Sequence, residues 1–342
     1  MRIFIHCLLS QYQMLNDPHL YLYSKETGRV FAVSYDIAGK SLDCTALDTL
    51  KDDWKRLVDE EKVTESDRYI HHNGKPVLSI WGVGFASVPS SACPVKMQNL
   101  INWFHGLPDS GGNTAPQKYQ AFVMGGVPSK WKDRTGDSRT SAVWKDVYES
   151  LDAIHPWYVG RWSSINNFYN YYNNIISRDA TYCAQRGILY MPTMWAGFSW
   201  HNLKQKEKPV NQVPRLGGNF LWAQAHRYAS NSNINSIWVA QFDEMDEGTA
   251  IFKVKEKSSD LPTEGTFLAL DADGYDVPSD WYLRLVGEAQ RMLDGSRSLT
   301  TTIPLDPNDP PPATPNPTSK PTNMVSFTPL QHVTCSSTFN DS

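Results

Sequence analysis

The segment "IWVAQFDEMDEGTAIF", residues 237–252, opens with six mostly apolar residues, places Asp243, Glu244, Asp246 and Glu247 close together, and returns to an apolar pair. The opening run belongs to "INSIWVAQFDE" (234–244), which reads as a buried strand. In a (β/α)₈ barrel, the residues just past a strand's C-terminal end carry the chemistry. Four neighbouring carboxylates repel one another, so at least one is expected to keep its proton to higher pH, as a general acid must. Glu244 and Glu247, three apart, share one side of a helical turn but face opposite ways in an extended segment. A turn here therefore offers both carboxyls to one cleft. Taken alone, such a cluster more commonly marks a solvated loop or the cap of a following helix; a hard-cation site is the other reading, but no Asn or Gly falls at the positions of a calcium loop. "DADGYD" (271–276) comes nearer to one, yet lacks the later glutamate and reads as a turn before the last helix.

Working outward, five further runs resemble the first: "RVFAVSYDI" (29–37), "KPVLSIWGVGF" (75–85), "YQAFVMGGVP" (119–128), "DAIHPWYVG" (152–160) and "ILYMPTMWAGF" (188–198). Each is nearly continuous in apolar residues, the pattern of parallel strands covered on both faces. Helix candidates alternate with them, among them "LDTLKDDWKRLVDEEK", "PVKMQNLINWFHGL", "SINNFYNYYNNIISRDATYCAQRG" and "NFLWAQAHRYASNSN". The repeated β–α order predicts an α/β fold, a (β/α)₈ TIM-type barrel over residues 29–298. Six strands are two short of eight, so the barrel is expected to lack its opening pair, and residues 1–28 read as an irregular segment. In the last helix, Ser279 is the expected N-cap and Gly295 the stop. Residues 299–342 then turn Pro- and Thr-rich and read as linker and disordered tail.

Composition narrows the function. The chain has 342 residues, 32 basic and 36 acidic, with a net charge of -4 and no basic stripe that could neutralise a phosphate backbone. Nucleic acid is therefore excluded as the expected partner. No run reaches the ~20 apolar residues of a membrane span. The five cysteines, Cys7, Cys44, Cys93, Cys183 and Cys335, show neither zinc-site spacing nor a dense disulfide pattern, which leaves room for one or two ordinary bridges. His71, His72 and His201 lack a second histidine at ligand spacing, so no metal is expected. The opening "MRIFIHCLLSQYQ", broken by His6, is a poor secretory signal. The Pro/Thr linker nevertheless points to an extracellular protein, and Asn340 in "NDS" is the one glycosylation pattern. The 12 Trp and 16 Tyr exceed what a core alone requires and suit stacking on ring-shaped ligands. Strand-end aromatics cluster in "PTMWAGFSWHN" (192–202), with Trp200 and His201, and in "HPWYVGRW" (155–162), with Trp157, Tyr158, Arg161 and Trp162. Trp81 lies in "IWGVGF". Paired acids with aromatic platforms make a carbohydrate-active cleft.

"FDEMDEGTAIF" resembles the "NEWxEGT" signature of glycoside hydrolase family 99, the endo-α-mannosidase and endo-α-mannanase family. "DDWKRLVDEEKVTESDRYIHHNGKPVLSIWGVGF", "FVMGGVPSKWK", "HPWYVGRW", "MPTMWAGFSWHNL", "VPRLGGNFLWAQ" and "LDADGYDVPSDWYLRL" are similar to the wider family 71/99-like hydrolases, often labelled xylosidase/arabinosidase. The resemblance spans about residues 26–295. It implies a retaining hydrolase of an α-linked oligosaccharide or polysaccharide, monomeric and without a cofactor. By motif position, Glu244 would deprotonate the substrate's own 2-hydroxyl, and Glu247 would protonate the leaving oxygen and later activate water. Asp243, Trp81, Trp157, Tyr158, Arg161, Trp200 and His201 would line the sugar site. Where the signature has Asn and Trp, this chain has Asp243 and Met245, which add a negative charge and remove an aromatic wall. The competing expectation is a carbohydrate-binding remnant of a truncated hydrolase that no longer cleaves.

Overall fold

The structure, a computed structural model, describes residues 2–7, 29–38, 44–204, 207–310 and 331–336. They fall into two compact units, each built from separate stretches of the chain.

One unit comprises Leu9–Trp157, Tyr182–Met191 and Val333–Ser342. Its sheet contains β2 (Val30–Asp36), β4 (Lys75–Trp81), β5 (Phe122–Val127), β6 (Ala153–Pro156) and β7 (Leu189–Tyr190), paired in parallel in that order. The two-residue β3 (His71–His72) adds antiparallel to β4. Helices α1 (Ala46–Asp59), α2 (Pro94–His105) and α3 (Val143–Glu149) form the connections. Such crossovers are what parallel pairing requires. α1 shows why: Leu47, Leu50, Trp54, Leu57 and Val58 are buried at helical spacing, while Asp52 and Lys55 pair on the outer face. Trp54 is fully buried, and its indole N–H donates to Tyr119 O at 2.9 Å, so the ring packs without stranding its one donor.

A disulfide joins Cys44 to Cys93 across 49 residues, with the Cα atoms 5.9 Å apart, and ties the start of α1 to the start of α2. Cys183 is buried and takes no part in this bridge. Closing a loop of that length restricts the unfolded chain, so reduction is expected to destabilise this unit by about 2–4 kcal/mol. Urea unfolding of the Cys44→Ser variant against the oxidised protein measures it, and equal midpoints would contradict the expectation.

The other unit comprises Met1–Leu8, Tyr158–Thr181 and Pro192–His332. Its sheet is β1 (Arg2–Cys7), β9 (Ser236–Val239) and β8 (Thr193–Met194), all parallel, with β9 in the middle. α4 (Ile165–Tyr171) runs through a π-helical turn, Tyr172–Ile176, into α5 (Ser177–Ala184). α6 (Asn219–Ala229) and α7 (Trp281–Asp294) follow.

Several expectations need correction. Residues 2–7 are a strand paired with β9, so the N-terminal segment is not wholly irregular, while residues 8–28 lie outside the described ones. A further strand, β10 (Gln331–Ser336), lies within the segment read as a tail. Residues 311–330 and 337–342, with Asn340, lie outside the described residues. The run 188–198 is two short strands rather than one, because Pro192 has no N–H to give the ladder. Asp280, not Ser279, stands at the N-cap of α7, and no side chain caps it; Gly295 ends the helix at φ 81° as expected. Among the described residues the strands are short and no closed barrel forms.

Candidate active site

β9 is buried on every residue, and Ala240 and Gln241 continue that burial before the chain turns. Phe242 O accepts from the N–H groups of Ile251 and Phe252 at 3.0 and 2.9 Å, Ala250 N–H donates to Glu244 O at 3.0 Å, and Gly248 N–H donates to Met245 O at 3.1 Å. The acids thus ride on a closed loop tipped by the turn Met245–Gly248. Gly248 has φ 65°, a left-handed conformation that favours glycine, and a Cβ there would meet only the mobile end of Leu268 at 2.9 Å. Thr249 Oγ1 donates to Gln241 Oε1 at 3.1 Å and fastens the loop to the strand end.

The two glutamates share this turn but not the same surroundings. Glu244 Oε1 accepts the Asp246 N–H at 3.0 Å. Burial raises the Glu244 pKa, the N–H groups of Asp246 and Glu247 oppose the rise, and the charges of Asp246 and Asp243 add to it. Among the described residues, no N–H donor opposes the rise at Glu247. Burial first, then the negative charges of Glu244 and Asp246, push its pKa up to about 8. The residue keeps part of its surface open, while its carboxyl is set deep among protein atoms. One carboxyl is thereby kept protonated at neutral pH beside another whose charged form is hydrogen-bonded. That division is what acid–base chemistry by two carboxyls needs.

The segment after β8 is laced to the same loop. Ser199 N–H donates to Glu247 O at 2.7 Å, and Asn202 Nδ2 donates to Asp246 O at 3.3 Å and Thr266 O at 2.8 Å. Trp200, 37% exposed, lies between these anchors with Lys204 Nζ 4.8 Å from its ring centre. His201 Nδ1 lies 2.6 Å from Lys208 O, so that nitrogen carries the proton. Arg161 is exposed, and its backbone N–H donates to Tyr158 O at 3.0 Å. Tyr158 departs from its expected role. It is fully buried against Trp162 and Tyr171, and its ring belongs to the packing of this unit.

The aromatic excess also resolves differently from what composition suggests. All but three of the twelve tryptophans are buried, Trp162 and Trp195 among them, and most of the excess is core. The three that retain exposure are Trp81, Trp157 and Trp200. In their own unit, Trp81 and Trp157 meet edge to face with ring centres 5.5 Å apart.

The parallel register of that unit lines up Asp36, Trp81, Gly126 and His155 across the C-terminal ends of β2, β4, β5 and β6. Gly126 leaves the gap that the Trp81 and His155 rings fill, since a Cβ would come within 2.5 and 2.7 Å of them. His155 is fully buried with Nε2 3.2 Å from Ser79 Oγ. Asp36 accepts the Ala38 N–H at 2.7 Å, and burial raises its pKa to about 6 against that bond. Neither Asp36 nor His155 stands out in the sequence. The strand-end rule that singled out Glu244 applies equally to the aspartate closing "RVFAVSYD". Among the described residues, no group of three His, Cys, Asp or Glu side chains is arranged to hold a metal ion.

No family model matches the chain, and no curated protein does. Solved structures do. The GH99 endo-alpha-mannosidase from Bacteroides thetaiotaomicron superposes with a TM-score of 0.61 at 13% identity, over 86% of this chain and 76% of that one. The same enzyme in complex with BIS-TRIS-propane gives a TM-score of 0.58 at 14% identity, over 86% of this chain and 81% of that one. At that identity the likeness shows the fold, an α/β architecture of TIM type.

Proposed function

We propose that this chain is a retaining glycoside hydrolase of an α-linked glycan, with Glu244 as the base and Glu247 as the general acid. The observation that carries the reading is the unequal environment of two carboxyls on one turn at the end of β9. The fold it shares with endo-α-mannosidases supports the class of reaction, and an α-mannoside is the first substrate to try.

In the first step, Glu244 takes the proton of the substrate's 2-hydroxyl, and that oxygen attacks C1 as the bond to the leaving oxygen breaks. Glu247 gives its proton to the departing oxygen. In the second step, the now ionised Glu247 takes a proton from water, the water oxygen attacks C1 and opens the 1,2-anhydro ring, and Glu244 returns its proton to O2. Two displacements at C1 retain configuration, and neither carboxylate bonds to carbon. Trp200 suits a stacking wall beside the turn. Asp243, Arg161 and His201, of the same unit, are the further candidates for holding the glycan; Trp81, Trp157 and Asp36 form a strand-end cluster of their own in the other unit.

The test is hydrolysis of α-mannan, α-mannooligosaccharides and aryl α-glycosides by the purified protein, with release of reducing ends as the readout. Glu247 must carry its proton to act, so kcat/KM is expected to fall as pH rises through about 8. Glu244 must be ionised, so the acid limb is expected above the ordinary glutamate range. The pair shares its titration, and the limbs report the pair. An alkaline limb that survives in Glu247→Gln would contradict this assignment. We also propose an oxidising, extracellular setting, supported by the Cys44–Cys93 bridge. Recovery of that bridge intact in natively produced protein is the expected result, and free thiols at both positions would oppose it.

A further inference from the structure

Arg215 precedes α6 and is buried at 6% exposure. Its Nη2 donates to Gly248 O at 3.0 Å and to Ala250 O at 2.7 Å, and its guanidinium carbon lies 4.5 Å from the Tyr282 ring centre. Taking a cation out of water is unfavourable unless fixed partners replace the water. Here the partners are two carbonyls flanking Thr249, the residues that directly follow Glu247, together with an aromatic face. Asp273 attracts Arg215, but its carboxylate accepts the N–H of Leu216. Burial also lowers the Arg215 pKa, and the guanidinium stays charged throughout the working range.

These bonds have a consequence for the acid. The backbone after Glu247 is held by Arg215, its own carbonyl by Ser199 N–H, and the turn by the Gly248 bond to Met245. We propose that Arg215 is a positioning residue: by pinning the carbonyls of Gly248 and Ala250, it holds the Glu247 carboxyl in the sheltered place beside Glu244 from which it protonates the leaving oxygen. The proposal rests on the glycosidase reading above. The charged and titratable groups around this turn are Asp243, Glu244 and Asp246 on the loop, and Arg215 with Tyr282 and Asp273 behind it. Arg215 is a cation, so its charge alone would favour ionised Glu247. Loosening the turn lets water in, and lost shelter and lost charge therefore act in opposite directions.

The experiment is a ¹³C NMR titration of the full chain labelled at glutamate carboxyls, with the Glu247 signal assigned by its disappearance in Glu247→Gln. In Arg215→Met, Glu247 is expected to titrate lower by roughly one unit or more. The kcat on a cleaved α-glycoside should fall at least about tenfold with KM nearly unchanged, a loss of aim rather than of binding. Arg284→Met, which removes another buried arginine of the same unit, serves as the control for lost stability and should leave the Glu247 titration in place. If Arg215→Met does not fold, Arg215→Lys keeps the charge without the planar fork and is expected to give a smaller shift in the same direction. A folded Arg215 variant with an unmoved Glu247 titration overturns the proposal. If the titration moves while the wild type cleaves no glycan, the glycosidase reading fails and the structural half of the proposal stands.

Discussion

Glu247→Gln is expected to lower kcat on an α-linked oligosaccharide by about 10²–10⁴-fold, the usual worth of a positioned general acid. The loss should depend on the leaving group. An oligosaccharide departs as an alcohol and needs the proton, whereas an activated aryl glycoside departs as a stabilised phenolate. The first step on the aryl substrate should therefore be largely spared. The second step still lacks its base, so azide, which needs no deprotonation, should restore turnover and give a glycosyl azide. Parallel kcat/KM measurements on the two substrates decide the matter, and equal losses on both would argue against the acid role. If the wild type binds α-glycans without cleaving any of them, the chain is a binding remnant.

The same substitution is expected to change stability in a way that needs no substrate. Glu247 has a folded pKa of about 8 against an ordinary value of 4.5. Below the ordinary value both folded and unfolded chains hold the proton, and folding gains nothing from pH. Between the two values the folded state binds the proton more tightly, so stability falls as pH rises, and above about pH 8 the loss is complete. A displacement of this size amounts to about 3–5 kcal/mol. Glutamine resembles the protonated acid and does not suffer the loss. Wild type and Glu247→Gln should therefore melt together near pH 4.5, and the variant should melt higher at pH 9 by on the order of 5–10 °C. Differential scanning calorimetry at the two pH values measures this. A variant that melts no higher at pH 9 would mean that Glu247 is not sheltered.

Much of this arrangement could be read from residue order, for identifiable reasons. Continuous apolar runs mark strands covered on both faces, and β2, β4, β5, β6 and β9 each fall inside such a run. The strand-end rule led to Glu244 and Glu247 because four acids there are conspicuous. A single acid is not, and Asp36 went unmarked although its register beside Trp81 places it at the same level of the sheet. Strand β1 was missed because its run is short and broken by His6. Tyr158 and Trp162 belong to an aromatic cluster at a strand end, which looks the same in sequence whether it faces a ligand or the core. The fold separates them by burial: both are covered, while Trp157, the residue before Tyr158, keeps part of its surface open. Nothing in "VPRLGG" announces that Arg215 reaches the loop of the paired acids, since both bonds go to backbone carbonyls more than thirty positions away.

The most direct test of the paired-glutamate account is the anomeric configuration of the first product, followed by ¹H NMR in the minutes after an α-linked substrate meets the wild-type protein. The account predicts that the new reducing end appears as the α anomer and only then mutarotates. A first-formed β anomer, or no cleavage of any α-linked glycan by folded protein, would contradict it.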